Sequence, residues 1–347
     1  MPLPLTNLKV IDFTTLLPGP LCTLMLAEAG ADVLKIERPG GGDEMREQGP
    51  KVDGQSVPFL QLNRGKRSVV KDLKTPKDRE EVATLIEGAD VVVEQFRPGV
   101  MKRLGLDYET LKPKNPRLIY CSITGYGQTG ANAGKAGHDI NYLAEMGMLC
   151  LTAEPKPSMP LAPVADIAGG AYPAFMNIVL AVLDRQRSGS GCYIDISMAH
   201  SLVPLMYAAY ARTVLGVAQT NEDLGYMGGS PRYQLYRTAD GRYLAVAAYE
   251  EKFWRRFCEI AGLPGSATRE DVQARIAQDA SDAWEARFAG EDVCCSMVVT
   301  PAEAHASGHW RASDSTVSGG GARVPALVIP ISDALRTRES DRPAPSQ

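Results

Sequence analysis

Leu8-Lys9-Val10-Ile11-Asp12-Phe13, the stretch Leu21 to Ala29 stopped by Gly30, and Val33-Leu34-Lys35-Ile36-Glu37 together decide the fold. An apolar run of strand length, an apolar run of helix length with a glycine stop, and a second strand-length run make a βαβ unit. The alternation continues through Ser68-Val69-Val70, a helix expected from Thr75 to Glu87, Ala89-Asp90-Val91-Val92-Val93 and Leu118 to Ile123. Strands alternating with helices predict an α/β fold, with a doubly wound parallel, Rossmann-like large domain over residues 1–220.

Such a domain invites a dinucleotide, with Glu37 placed to hold a ribose hydroxyl. The first strand is followed by Thr14-Thr15-Leu16-Leu17-Pro18-Gly19-Pro20, however, which lacks the GxGxxG glycines that let a pyrophosphate approach the backbone. Farther on, Gly170 to Arg187 reads as one long helix, Tyr193 to Ser197 as a strand and Met198 to Gly216 as a helix. The polar, glycine-rich stretch 221–232 predicts a linker. Beyond it a smaller α+β domain is expected at 233–320. Tyr233 to Thr238 and Arg242 to Ala247 flank the hairpin signal Asp240-Gly241, and a helix from Glu251 to Ala261 follows. Residues 321–347 read as a divergent C-terminal segment with Ala326 to Ile331 as its apolar element, and Ser340 to Gln347 is expected to be disordered.

With 44% apolar and 22% charged residues and a net charge of -4, the chain fits neither a disordered protein nor a nucleic-acid binder. Its seven cysteines are scattered without CxxC pairs or metal-ligand spacing, so reduced thiols, a cytoplasmic location and no metal are expected. The N-terminus carries no basic and long apolar leader pattern, and no stretch reads as long enough to span a membrane.

Chemistry concentrates in Gly137-His138-Asp139-Ile140-Asn141-Tyr142 and in Asp166, 28 residues after the histidine. A histidine and a carboxylate on short loops can remove and return a proton beside a carbonyl. The backbone N–H groups beginning at Asp166 could meet a developing enolate oxygen at a helix start, and Gly169 and Gly170 either permit that approach or only pack the first turn.

Val10 to Phe13, Gly30 to Pro39, Asn63-Arg64-Gly65-Lys66-Arg67-Ser68, Phe96-Arg97-Pro98-Gly99-Val100-Met101 and Gly125-Tyr126-Gly127 form an ordered set. With it the chain resembles the family III CoA-transferases (CaiB/BaiF), which include the α-methylacyl-CoA racemases. The resemblance implies that fold, an acyl-CoA substrate with coenzyme A as part of it and no separate cofactor, and an interlocked homodimer. It implies an aspartate nucleophile at Asp166 in transferases, and in racemases the same aspartate paired with the histidine of a Gly-His-Asp-Ile-Asn-Tyr motif, here His138. It gives Glu250 as a carboxylate assisting His138, with Glu251 as the neighbouring possibility. Arg38, Lys66, Arg97 and Arg103 are implied as phosphate-binding cations, Thr15, Leu16, Gln95, Phe96 and Val100 as the CoA pocket, and Lys135 as a residue near the thioester. A racemase or epimerase is the expected activity. CoA transfer through Asp166 is the alternative, and a non-catalytic CoA-binding protein is a third reading.

Overall fold

The computed structural model describes residues 2–152, 157–217, 225, 228–308, 316–319, 321–337 and 341–345. Six strands form one sheet: β1 (Lys9–Asp12), β2 (Asp32–Glu37), β3 (Arg67–Val70), β4 (Val91–Glu94), β5 (Ile119–Thr124) and β6 (Tyr193–Ser197). Their order is β3-β2-β1-β4-β5-β6 and every pairing is parallel. This is the doubly wound order, in which strand succession reverses between β1 and β4 and opens a crevice at their carboxyl ends.

The helices follow from the same sequence logic. Helix α1 (Pro18–Glu28) is buried at every position, which is why its sequence is apolar all round rather than amphipathic. It begins three residues before the expected Leu21, because Pro18 and Pro20 fit a first helical turn whose N–H groups lack partners anyway. Helix α2 (Val57–Asn63) is capped by the Ser56 hydroxyl, and α3 (Pro76–Glu87) by Thr75. Short helices α4 (Val100–Leu104) and α5 (Tyr108–Leu111) follow β4, and α6 (Asp139–Glu145) follows β5.

The long helix expected from Gly170 is divided. Residues Ala165–Ala171 form a π-helical turn, and α7 (Tyr172–Ser188) continues from it against α1, β5 and β6. This run, 165–188, meets the length and mean hydropathy (1.5) of a membrane span, contrary to the expectation from sequence. Ala174, Ile178 and Ala181 pack inside the first unit, whereas Met176, Leu180 and Leu183 on the other face are exposed, so the run is half core helix and half open apolar surface. The stretch 198–216, expected as one helix, is a 3-10 segment His200–Met206 followed by helix Tyr207–Val214; Pro204 lacks the N–H that an α-helix would use there.

The chain divides into two compact units, residues 1–146, 160–204 and 311–347 in the first and 147–159 and 205–310 in the second. Within the second, strands Tyr233–Arg237, Tyr243–Ala247 and Cys295–Met297 make an antiparallel sheet over stacked rings of Trp254, Phe257, Trp284 and Phe288, 5.4–5.8 Å apart. Gly241, at φ +83, closes the hairpin with its N–H on Thr238 O. Half of the linker expected at 221–232, residues 221–224, 226 and 227, lies outside the described residues.

In the tail, strands Thr316–Gly319, Ala322–Pro325 and Asp341–Pro343 form a small sheet within the first unit. Val317, Ala322, Val324 and Ala344 enclose Leu60 of α2, while Arg64 spans Glu28 at 2.7 Å and Leu327 O at 2.7 Å. The described part of the segment expected to be disordered, 341–345, is therefore a paired strand and its continuation, supported by Gly65 N–H donating to Pro343 O and Arg46 donating to Pro345 O. Ser340, Ser346 and Gln347 lie outside the described residues.

Candidate active site

The Gly-His-Asp-Ile-Asn-Tyr motif is a self-bracing loop. His138 is the extended residue before α6, and its N–H donates to Asn141 Oδ1 at 3.0 Å. Tyr142 folds back so that its hydroxyl donates to Gly137 O at 2.5 Å. The Tyr142 ring lies so close to Gly125 and Gly137 that a Cβ at either would strike it, and Tyr126 meets it edge-on at 5.2 Å. The bracing leaves the His138 side chain exposed.

Asp139 links this loop to the second base. Its Oδ1 accepts the backbone N–H of Asp166 at 2.9 Å, which joins the two segments across 27 residues of chain. Asp166 is half-buried in the π-helical turn, a local widening that recurs at functional sites. Burial, and then the Asp139 carboxylate, push Asp166 up to about 6, while His138 pulls the other way. A carboxyl group tuned toward neutrality beside a histidine is equipped for proton transfer.

Two sequence expectations at this turn change. The N–H groups proposed to meet an enolate oxygen are engaged, that of Asp166 by Asp139 and that of Ile167 by Pro163 O at 3.1 Å. Gly169 and Gly170 serve packing, since a Cβ at Gly169 would overlap Met198 O and one at Gly170 would press on Met198 and Pro18 at 3.1 Å.

At the crevice, Gln95 joins the loops after β1 and β4. Its Nε2 donates to Thr15 O at 2.8 Å and its Oε1 accepts from Gly19 N–H at 3.3 Å. Phe96 packs against Phe13 with ring centroids 6.5 Å apart. Leu16 sits at φ +62, a strained conformation for this side chain, held by its N–H on Asp43 Oδ1 at 2.9 Å. Thr15, Leu16, Gln95 and Phe96 thus meet at one place, with Val100 half-buried in the next helix.

The cations do not behave alike. Arg97 and Arg103 are exposed, and Arg38 is exposed while paired with Glu44 at 2.8 Å. Lys66, expected among them, is fully enclosed: its ammonium lies 3.3 Å from Asp12 Oδ2, 3.0 Å from Pro20 O and 2.9 Å from Asn63 Oδ1. It holds β1 to the end of α2 and reaches no surface. Burial alone would raise Asp12, but Lys35 and Lys66, with the hydroxyls of Thr14 and Thr23, outweigh it and hold the carboxyl at about 2. Glu37, the residue a dinucleotide would need, is likewise committed, its oxygens taken by Arg46 at 2.6 and 2.8 Å and by Ser68 at 2.6 Å.

Lys135 pairs with Glu145 at 2.6 Å, on the helix that the histidine precedes. Glu250 lies in the second unit as the residue before helix Glu251–Ala261, exposed at its N-terminus. Glu251 is held by Arg232 at 2.8 Å, which favours Glu250 as the carboxylate available to a partner. The residues that sequence reading passed over are Asp139 and Glu94; the first was in plain view inside the motif.

A family model, CoA-transferase family III, matches residues 5–347. The chain belongs to CoA-transferase family III. Family relatives of two kinds are similar at comparable levels. The alpha-methylacyl-CoA racemase of Homo sapiens is 34% identical over 85% of this chain and 78% of its own length. The succinate–glutarate CoA-transferase of Agrobacterium fabrum is 38% identical over 79% of this chain and 71% of its own. A CaiB/BaiF family protein from Brucella suis has a solved structure that superposes with TM-score 0.84 at 31% identity, covering 100% of this chain and 97% of that one. The chain is thus an enzyme of the family III CoA-transferase and racemase superfamily.

Proposed function

We propose that this family III member is an α-methylacyl-CoA racemase or epimerase, inverting the α-carbon of a 2-methylacyl-CoA. The observation that carries the reading is the bond from Asp166 N–H to the carboxylate of Asp139, the chain neighbour of His138, with Asp166 tuned to about 6. Inversion needs a base on each face of a planar enolate, one taking the α-proton and the other returning one. The C–H bond electrons pass into the enolate and come back to the same carbon as it accepts a proton from the opposite side. A carboxyl near neutrality serves in either direction. CoA would lie in the crevice of Thr15, Leu16, Gln95, Phe96 and Val100, its phosphates met by Arg38, Arg97 and Arg103, with Lys135 toward the thioester. No separate cofactor enters the scheme. A homodimer is part of it, and the seven free thiols support a cytoplasmic location.

CoA transfer is the competing reading, because relatives that transfer CoA match equally well. There Asp166 would attack the acyl carbon as a nucleophile and expel the CoA thiolate. Incubation of each enantiomer of a 2-methylacyl-CoA in heavy water separates the two. A racemase incorporates deuterium at the α-position from either enantiomer, and His138→Ala and Asp166→Ala abolish interconversion while retaining exchange with opposite stereochemical preference. Absence of deuterium, with a hydroxylamine-trapped adduct at Asp166, would establish the transferase instead.

A further inference from the structure

Glu94 ends β4, one residue before the crevice, and is 3% exposed. Both of its oxygens are engaged by neutral donors. The Ser122 hydroxyl of β5 donates to Oε1, and the backbone N–H of Phe96 donates to Oε2 at 2.8 Å. Tyr193 of β6 in turn donates to Ser122 Oγ at 3.1 Å. The second bond tightens the chain as it leaves the sheet, and that turn sends Gln95 across to Thr15 and Gly19 and Phe96 onto Phe13.

Among the described residues, the groups facing this carboxyl give it no close cation. Tyr120 and Cys121 come from β5 beside Ser122, Tyr193 and Asp195 from β6, and Tyr108, Asp107 and Glu109 from α5 and its start. Arg97 and Lys102 lie with Glu94 on the lining of a cavity of about 440 Å³ that gives the carboxyl a route to solvent. Burial raises Glu94 to about 7, against the Ser122 and Phe96 donors and with Asp195 adding to the rise.

We propose that Glu94 is a positioning residue for the acyl-CoA crevice, its ionised carboxylate holding the Gln95–Arg97 turn in the binding geometry and releasing it on protonation. The inference rests on the reading of that crevice as the CoA site. An anionic oxygen accepts the Phe96 N–H more strongly than a neutral carboxylic acid does. Protonation also turns one oxygen into a donor toward Ser122, whose own proton then loses its acceptor. Affinity for CoA therefore falls as pH drops through neutrality, in proportion to the fraction of chains still holding the turn.

Calorimetric titration of the full chain with free CoA at pH 6, 7 and 8 tests this. For the wild type, Kd is expected to weaken about tenfold from pH 8 to pH 6. Glu94→Gln should bind weakly at all three values, with that slope gone. Should Glu94→Gln fail to fold, Ser122→Ala decides, because losing one donor shifts the midpoint of the wild-type curve to higher pH. A Glu94→Gln chain that binds with wild-type affinity and slope, or a Ser122→Ala midpoint that does not move, would overturn the inference while leaving the CoA site standing. A wild type that binds no CoA at any pH would instead remove the site itself, and this inference with it.

Discussion

At the scale of single residues, two buried acids have opposite roles. Asp12 is a structural anion, ionised and matched by Lys35 and Lys66; Asp166 is held at a cost in its charged form. Replacing Lys66 by Ala should leave Asp12 buried without its full partner set and cost about 3–5 kcal/mol in denaturant unfolding, whereas Arg97→Ala should weaken CoA and leave stability nearly unchanged. The sign for Asp166 follows from its raised value. Above pH 6 the folded carboxyl is ionised against its preference, so folding carries a penalty there, and the penalty fades as pH falls toward the unfolded value near 4. Asp166→Asn should thus be more stable than the wild type at pH 8, by on the order of 1–2 kcal/mol after allowance for solvent screening, with no gain at pH 3.5. Thermal unfolding at the two pH values reads this directly, and an equal difference at both would refute the assignment of cost to charge.

At the scale of elements, the π-helical turn sets the geometry of the second base. Gly169→Ala would put a methyl group onto Met198 O, so we expect a loss of about 1–3 kcal/mol and, with the turn displaced, a larger fall in turnover than in CoA affinity; thermal melts and steady-state kinetics would show both. The sequence made the sheet legible because β1, β2, β4 and β5 are buried on both faces and so read as continuous apolar runs. It did not show the turn, since an apolar pattern with period 3.6 does not distinguish an α from a π start. Lys66 misled because a lysine in a loop is ordinarily solvated, and only the approach of α2 to β1 encloses it. Glu94 escaped notice for the same reason, as an acid at a strand end. In the tail, strands of three or four residues give too short a pattern to read.

At the scale of the whole molecule, α7 presents an apolar stripe of Tyr172, Met176, Leu180 and Leu183, each 41–57% exposed in the single subunit and spaced along one helix face. The homodimer proposed above would cover this stripe, so the protein should sediment as a dimer that dilution to nanomolar concentration does not dissociate; a monomer at micromolar concentration would exclude this. The tail has a different consequence, which concerns how the chain is made. Leu60 is covered by Val317, Ala322 and Ala344, and Arg64 is clasped by Leu327. A ribosome adding residues in order completes every candidate site residue, from Thr15 to Glu250, before it makes any of these. For on the order of half a minute at ordinary rates of elongation, the first βαβ unit has left the exit tunnel with one wall missing. Newly made protein therefore passes through a stage in which every candidate site residue is present and its scaffold is still open, until the segment from Val317 to Ala344 emerges to close it.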